Sequence, residues 1–246
     1  MRSFAKILSA LILITAGFYA SAKSYPAIAS TTSGIVDRHL SGFNAVNVAG
    51  PYDVYIKQGS AESVKVEAPA NMMSRILTEV NNGVLKIYSK HYDNWGMSLF
   101  SWGHHKVVVY VVIKDVNSIS ISGSGDVSFK DGITASALKL RITGSGDMAG
   151  RVEAKMLESS ITGSGDMRLY GHAENSTVSV VGSGDFTAKN LVTLNSSVRV
   201  SGSGDASVNA SDRVDAAVSG SGDVHYSGAA KHISSKKSGS GDISRY

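Results

Sequence analysis

The sequence predicts an all-β fold, a parallel β-solenoid (β-helix), and three observations carry that reading. Gly-Ser-Gly-Asp occurs seven times in the second half of the 246-residue chain, with aspartates at Asp126, Asp147, Asp166, Asp185, Asp205, Asp223 and Asp242. The intervals are 21, 19, 19, 20, 18 and 19 residues, and a tetrapeptide recurring that regularly marks one unit stacked on itself. Alignment on the aspartates gives the second observation. The next residue is apolar in every copy (Val127, Met148, Met167, Phe186, Ala206, Val224, Ile243). Five positions before the aspartate stand Ile121, Ile142, Ile161, Val180, Val200, Val218 and Lys237. Each copy therefore has a strand entering the corner and another leaving it, both alternating in and out. Third, Pro26, Pro51 and Pro69 all precede the repeats, as suits a region whose backbone amides are needed for pairing between coils.

Within each corner, the two glycines permit positive backbone angles and close stacking of adjacent coils. The aspartate is expected to accept hydrogen bonds from amides of its own turn, so the seven aspartates are read as structural turn residues. Stacked carboxylates repel by about 1 kcal/mol in water and by more at lower dielectric, which rules out a buried, unpaired row.

Ahead of the solenoid (116–246) the pattern predicts a smaller β-rich part over 37–115. Strands are expected at Phe43–Val48, Asp53–Lys57, Ser63–Glu67, Val84–Tyr88 and Lys106–Lys114, the last as a buried run. Asn82-Gly83 signals a turn. Asn71–Val80 carries apolar residues at helical spacing behind a capping asparagine, and one short helix is expected there.

The first 22 residues read as a Sec-type signal peptide. Arg2 and Lys6 precede an apolar stretch from Ile7 to Tyr19, and Ala20-Ser21-Ala22 offers a cleavage site after Ala22. That stretch is shorter than the ~20 residues a membrane helix needs, so no transmembrane segment is expected after signal removal. Residues 23–36 read as a flexible leader, and the mature protein is expected to be periplasmic or secreted. The chain has no cysteine, which excludes thiol chemistry, disulfides and a lipoprotein anchor. Removal of Arg2 and Lys6 leaves 22 basic against 20 acidic residues, a balance that argues against nucleic acid as a partner.

Phe43-Asn44-Ala45-Val46, Asp53-Val54-Tyr55-Ile56-Lys57-Gln58-Gly59 and Leu85-Lys86-Ile87 after an Asn-Gly turn, followed by serial Gly-Ser-Gly-Asp corners, form a combined pattern. It resembles the putative auto-transporter adhesin, head GIN domain family of bacterial envelope proteins, over about residues 40–246. The resemblance implies a β-helical fold and an adhesin-like role. No run suited to an outer-membrane barrel follows the repeats, so the chain is not expected to be a self-contained autotransporter.

The irregular segment from His91 to His105 holds Tyr92, Trp95, Phe100 and Trp102 in a chain that is only 7% aromatic. These are the candidate binding residues. They offer a sugar-stacking or protein-contact patch, or else a cap over the end of the column. His104 and His105 would face opposite sides of a strand, and no metal ligand or cofactor is assigned. Serine is abundant, but no Gly-x-Ser-x-Gly elbow joins a strand to a helix. The reading is a non-catalytic binding or structural module whose partners are an envelope glycan or surface protein, with end-to-end self-association open. The alternatives are a carbohydrate-active enzyme on the same scaffold and a calcium-stabilised β-roll. Lys236 and Lys237 break the last copy's pattern, either as charges that protect an edge or as part of a frayed C-terminus.

Overall fold

In the computed structural model, which describes residues 33–90 and 106–246, the chain winds into coils stacked in parallel. Before the repeats come β1 (Ser33–Asp37), β2 (Ala45–Ala49), β3 (Asp53–Gln58), β4 (Ser63–Pro69), α1 (Ala70–Met73), β5 (Ile76–Asn81), β6 (Val84–Ser89) and β7 (Val108–Ile113). β8 (Ser118–Gly123) leads into the first Gly-Ser-Gly-Asp corner. Each following strand then runs from one corner to the next: β9 (Val127–Gly144), β10 (Met148–Gly163), β11 (Met167–Gly182), β12 (Phe186–Gly202) and β13 (Ala206–Gly220). The last coil is divided into β14 (Val224–Ser227) and β15 (His232–Gly239), with β16 (Ile243–Arg245) beyond the final corner. Among the described residues, all sixteen strands belong to one sheet. Residues 1–32, and with them the signal segment and most of the leader, lie outside the described residues; β1 starts at Ser33.

The repeat alignment reappears as register. Val127, Met148, Met167, Phe186, Ala206, Val224 and Ile243 stack in one row, and all but the terminal Ile243 are buried. Ile121, Ile142, Ile161, Val180, Val200 and Val218 make a second buried row. Along β10 the in-out alternation slips phase at Lys155–Met156, where the coil bends between its outgoing and returning arms. Large and small residues interlock across coils. Gly150 sits in register with Phe129, whose ring occupies the place a Cβ at 150 would take, 2.0 Å away.

The column starts before the first repeat. β2 pairs in parallel with β8, and β3 with β9, so Gly50-Pro51-Tyr52-Asp53 forms a corner in line with the Gly-Ser-Gly-Asp series. β6 and β7 stack in parallel on the far side of β2 and β3. Antiparallel strands then follow: β5 on β6, β4 on β7, and β1 on β4. Pairing that reverses direction ends the parallel repeat at this end of the column.

The segment expected to be helical over Asn71–Val80 is helical only at Ala70–Met73, and Ile76–Asn81 is strand β5. The N-cap is Pro69 and has no side-chain capping bond, so Asn71 caps nothing. The turn at Asn82 (φ 50°) and Gly83 (φ 76°) folds β5 back on β6, and pairing along the β6 edge overrides the local helical spacing. The run expected to be buried over Lys106–Lys114 is instead half-buried as β7, with Tyr110 facing outward.

The corner geometry gives the first prediction. A Cβ at Gly184 would lie 2.1 Å from the Gly165 carbonyl oxygen of the preceding coil. Gly184→Ala is expected to cost about 3 kcal/mol or more, at the severe end of single substitutions. Ser183 is exposed in the same corner, and Ser183→Ala is expected to stay within about 0.5 kcal/mol. Denaturant unfolding of the pair measures the difference.

Candidate functional site

The corners concentrate the chain's acidic repeats, and their hydrogen bonds run between coils. Ser183 and Gly184 donate their amides to the Gly163 carbonyl at 2.9 and 3.1 Å. The Asp185 amide donates to Asp166 Oδ1 at 3.0 Å, and Met167 donates to the Asp185 carbonyl at 2.9 Å. The same amide-to-carboxylate bond joins Asp147 to Asp126, Asp166 to Asp147, Asp205 to Asp185, Asp223 to Asp205 and Asp242 to Asp223, at 2.7–3.0 Å. Each of these carboxylates thus accepts an amide from the next coil. The reason is register, because stacking brings each aspartate amide over the carboxylate of the coil before it. Asp242 accepts from Lys237 and the Ile243 amide.

The seven carboxylates are exposed or half-exposed, so water screens their repulsion. Arg168 reaches Asp166 at 2.8 Å and Asp147 at 3.8 Å. A lysine holds the aspartate at each extremity of the row. At one end Lys106 meets Asp53 at 2.6 Å, and this contact raises the Lys106 pKa. At the other, Lys237 meets Asp242 at 3.2 Å and, with the Ile243 amide, holds that carboxyl below its ordinary value. Among the described residues, no group of three or more His, Asp or Glu side chains is arranged to hold a metal ion.

Beside the aspartate row runs an outward row that sequence reading missed. Tyr110, Tyr55, Ser128, Ala149 and Arg168 stand in register on successive coils. Tyr55 and Tyr110 are 43% and 39% exposed. Their rings stack with centroids 5.8 Å apart and planes 18° from parallel. Tyr110 donates its hydroxyl to Glu67 at 3.0 Å, a bond that raises its pKa. Lys65 lies next to Tyr110 on β4, while the Lys106–Asp53 and Lys57–Asp131 pairs flank the same face. The available signal was the outward phase of Asp53-Val54-Tyr55-Ile56 and Val108-Val109-Tyr110-Val111, which places one tyrosine in each strand on the solvent side.

Tyr92, Trp95, Phe100 and Trp102, the candidate binding residues of the sequence, lie outside the described residues. Their segment joins β6 to β7, strands that stack beside the Gly50–Asp53 corner. A broad cleft of about 750 Å³ lies elsewhere, lined by Asn44, Asp115, Asn117, Thr134, Glu153 and Lys155 among others.

The aspartate ladder predicts distinct outcomes for two substitutions at Asp185, whose Oδ1 accepts the Asp205 amide at 2.9 Å. Asp185→Ala leaves that amide without its acceptor and is expected to cost about 1 kcal/mol. Asp185→Asn keeps the acceptor oxygen and removes one repelling charge, and is expected to stay within about 0.5 kcal/mol of the unaltered protein. Equilibrium unfolding checks both.

The family model described as putative auto-transporter adhesin, head GIN domain matches residues 42–230. A crystal structure of a putative adhesin from Bacteroides fragilis is similar with 25% identity and a TM-score of 0.80, over 88% of this chain and 98% of that one. A putative adhesin from Parabacteroides distasonis shares the fold at 24% identity and a TM-score of 0.70, with the same coverage. So does a putative lipid binding protein from Parabacteroides distasonis, at 22% identity and a TM-score of 0.71, again covering 88% and 98%. A search of curated proteins finds no match.

Proposed function

The chain belongs to the putative auto-transporter adhesin, head GIN domain family, and from that premise we propose that it is an exported, non-catalytic binding module of the bacterial cell envelope. The observation that carries this reading is the stacked, half-exposed Tyr55–Tyr110 pair on an outward sheet face bordered by ion pairs. Tyrosine rings present apolar area with a polar rim at low entropic cost, which suits the face of a sugar ring or an apolar patch on a surface protein. Tyr92, Trp95, Phe100 and Trp102, in the segment of sequence that precedes β7, are further candidate binding residues by their aromatic character. The corner aspartates serve the scaffold, since six of the seven already bond the next coil. Export rests on the basic, apolar and small-residue order of residues 1–22.

Glycan-array binding and envelope pull-down with the mature protein test the reading. A Tyr55→Ala/Tyr110→Ala double variant is expected to bind about tenfold more weakly, a loss of about 1.4 kcal/mol. Deletion of 91–105 is expected to weaken binding further. Undiminished binding by both variants, or release of cleaved products from a polysaccharide panel, would contradict it.

A further inference from the structure

Two outward rows run side by side along the strands that enter the corners. In one, Arg141, Ser160, Ser179, Arg199, Ala217 and Lys236 stand in register on β9 to β13 and β15. The other lies two residues nearer the corners and includes Thr143, Thr162, Ser201, Ser219 and Ser238, all exposed. Over these six strands the two rows carry three basic residues and no acidic one.

Arg141, Arg199 and Lys236 are exposed, and among the described residues none of them has a hydrogen-bonded or ion-paired side chain. By contrast, Arg151 is held by Glu153 at 2.8 Å, Arg168 by Asp166 at 2.8 Å and Lys139 by Glu158 at 2.9 Å. At roughly 4.8 Å per coil, Arg199 lies about 14 Å from Arg141 and about 10 Å from Lys236. Spacing beyond the Debye length of about 8 Å limits their mutual repulsion and leaves each cation without a neutralising neighbour. A hollow of about 320 Å³ is lined by Arg199, Ala217 and Lys236 together with Ser201, Ser219 and Ser238, among others.

We propose that these two rows form a second binding face, separate from the Tyr55–Tyr110 pair, for an extended acidic polysaccharide lying along the column axis. Arg141, Arg199 and Lys236 take its anionic substituents, and the neighbouring hydroxyls bond its sugars. A guanidinium binds a carboxylate or sulfate through two parallel hydrogen bonds, which suits the two arginines to this task. Serine and threonine hydroxyls both donate and accept, as sugar hydroxyls do. Cations spread along a line match a chain of charges, whereas a small anion could reach one of them at a time. An anionic bilayer fits less well, because attachment to its surface needs apolar side chains to enter it. Val181 is the one large apolar residue in the two rows over these strands. Asp215 borders the basic row on the side away from the hydroxyls, which favours the hydroxyl side as the path of the polymer.

Biolayer interferometry of the mature protein against polygalacturonate, heparin, dextran and phosphatidylglycerol vesicles tests this face. The unaltered protein is expected to bind polygalacturonate, heparin or both, more weakly as salt rises, and to leave dextran unbound. Arg199→Ala/Lys236→Ala is expected to lower that affinity about tenfold. Lys155→Ala/Arg213→Ala removes the same charge at exposed positions off the row, and is expected to change it by less than about twofold. Tyr55→Ala/Tyr110→Ala is expected to retain it, so this face and the tyrosine pair stand or fall separately. Failure to bind either acidic polymer, binding to the vesicles alone, or a loss in either control variant equal to that of Arg199→Ala/Lys236→Ala would each overturn the proposal.

Discussion

The fold depends on how closely backbone meets backbone at the corners. At the first glycine of each repeat the φ angle is positive, as at Gly182 (123°), and the space a side chain would need holds the preceding coil's carbonyl. At the second glycine the same clash recurs without a positive φ, so close approach alone demands glycine there. This contact puts the serine, glycine and aspartate amides within bonding distance of the coil before. The Gly50–Asp53 corner shows the rule by its exception. Tyr52 occupies the second glycine's position. Its ring is fully buried, and its hydroxyl bonds Ser89 of β6.

That constraint also governs the surroundings of the aspartates. Stacking at about 4.8 Å places like charges in a row, which is unfavourable by itself. The cost is offset because every carboxylate but the last accepts an amide from its neighbour, and the row lies open to water. Six of the seven corner carboxylates are thus bonded within the stack. The outward rows between corners carry side chains that point away from the stack. The Tyr55–Tyr110 pair belongs to such a row, on the coils where the repeat gives way to the N-terminal strands.

Much of the fold could be read from the residues. The spacing of the aspartates gives the coil, and the apolar residues one position after and five before them give the interior rows that register later displays. Asn82-Gly83 gives the hairpin. Other features resisted reading for physical reasons. Asn71–Val80 has helical spacing, but the edge of β6 makes strand pairing the better use of Ile76–Asn81. The acceptor of each aspartate amide depends on contacts between coils about 19 residues apart, which a local turn motif does not specify. Gly50-Pro51-Tyr52-Asp53 shares only two letters with the repeat, so its place in the column emerges from pairing of β2 with β8. Tyr55 and Tyr110 are 55 residues apart in sequence and meet because β3 and β7 are parallel neighbours. The aromatic segment stood out by composition, whereas the tyrosine pair required three dimensions.

Amide hydrogen exchange at the corner aspartates tests the account most directly. The amides of Asp147, Asp166, Asp185, Asp205 and Asp223 belong to residues with exposed or half-exposed side chains, yet each is bonded to the coil before it. The stacked-corner account predicts that they exchange slowly, at rates comparable to the amides of the buried rows in β10–β12. Exchange at the rate of unprotected surface turns, with those buried rows still protected, would contradict it.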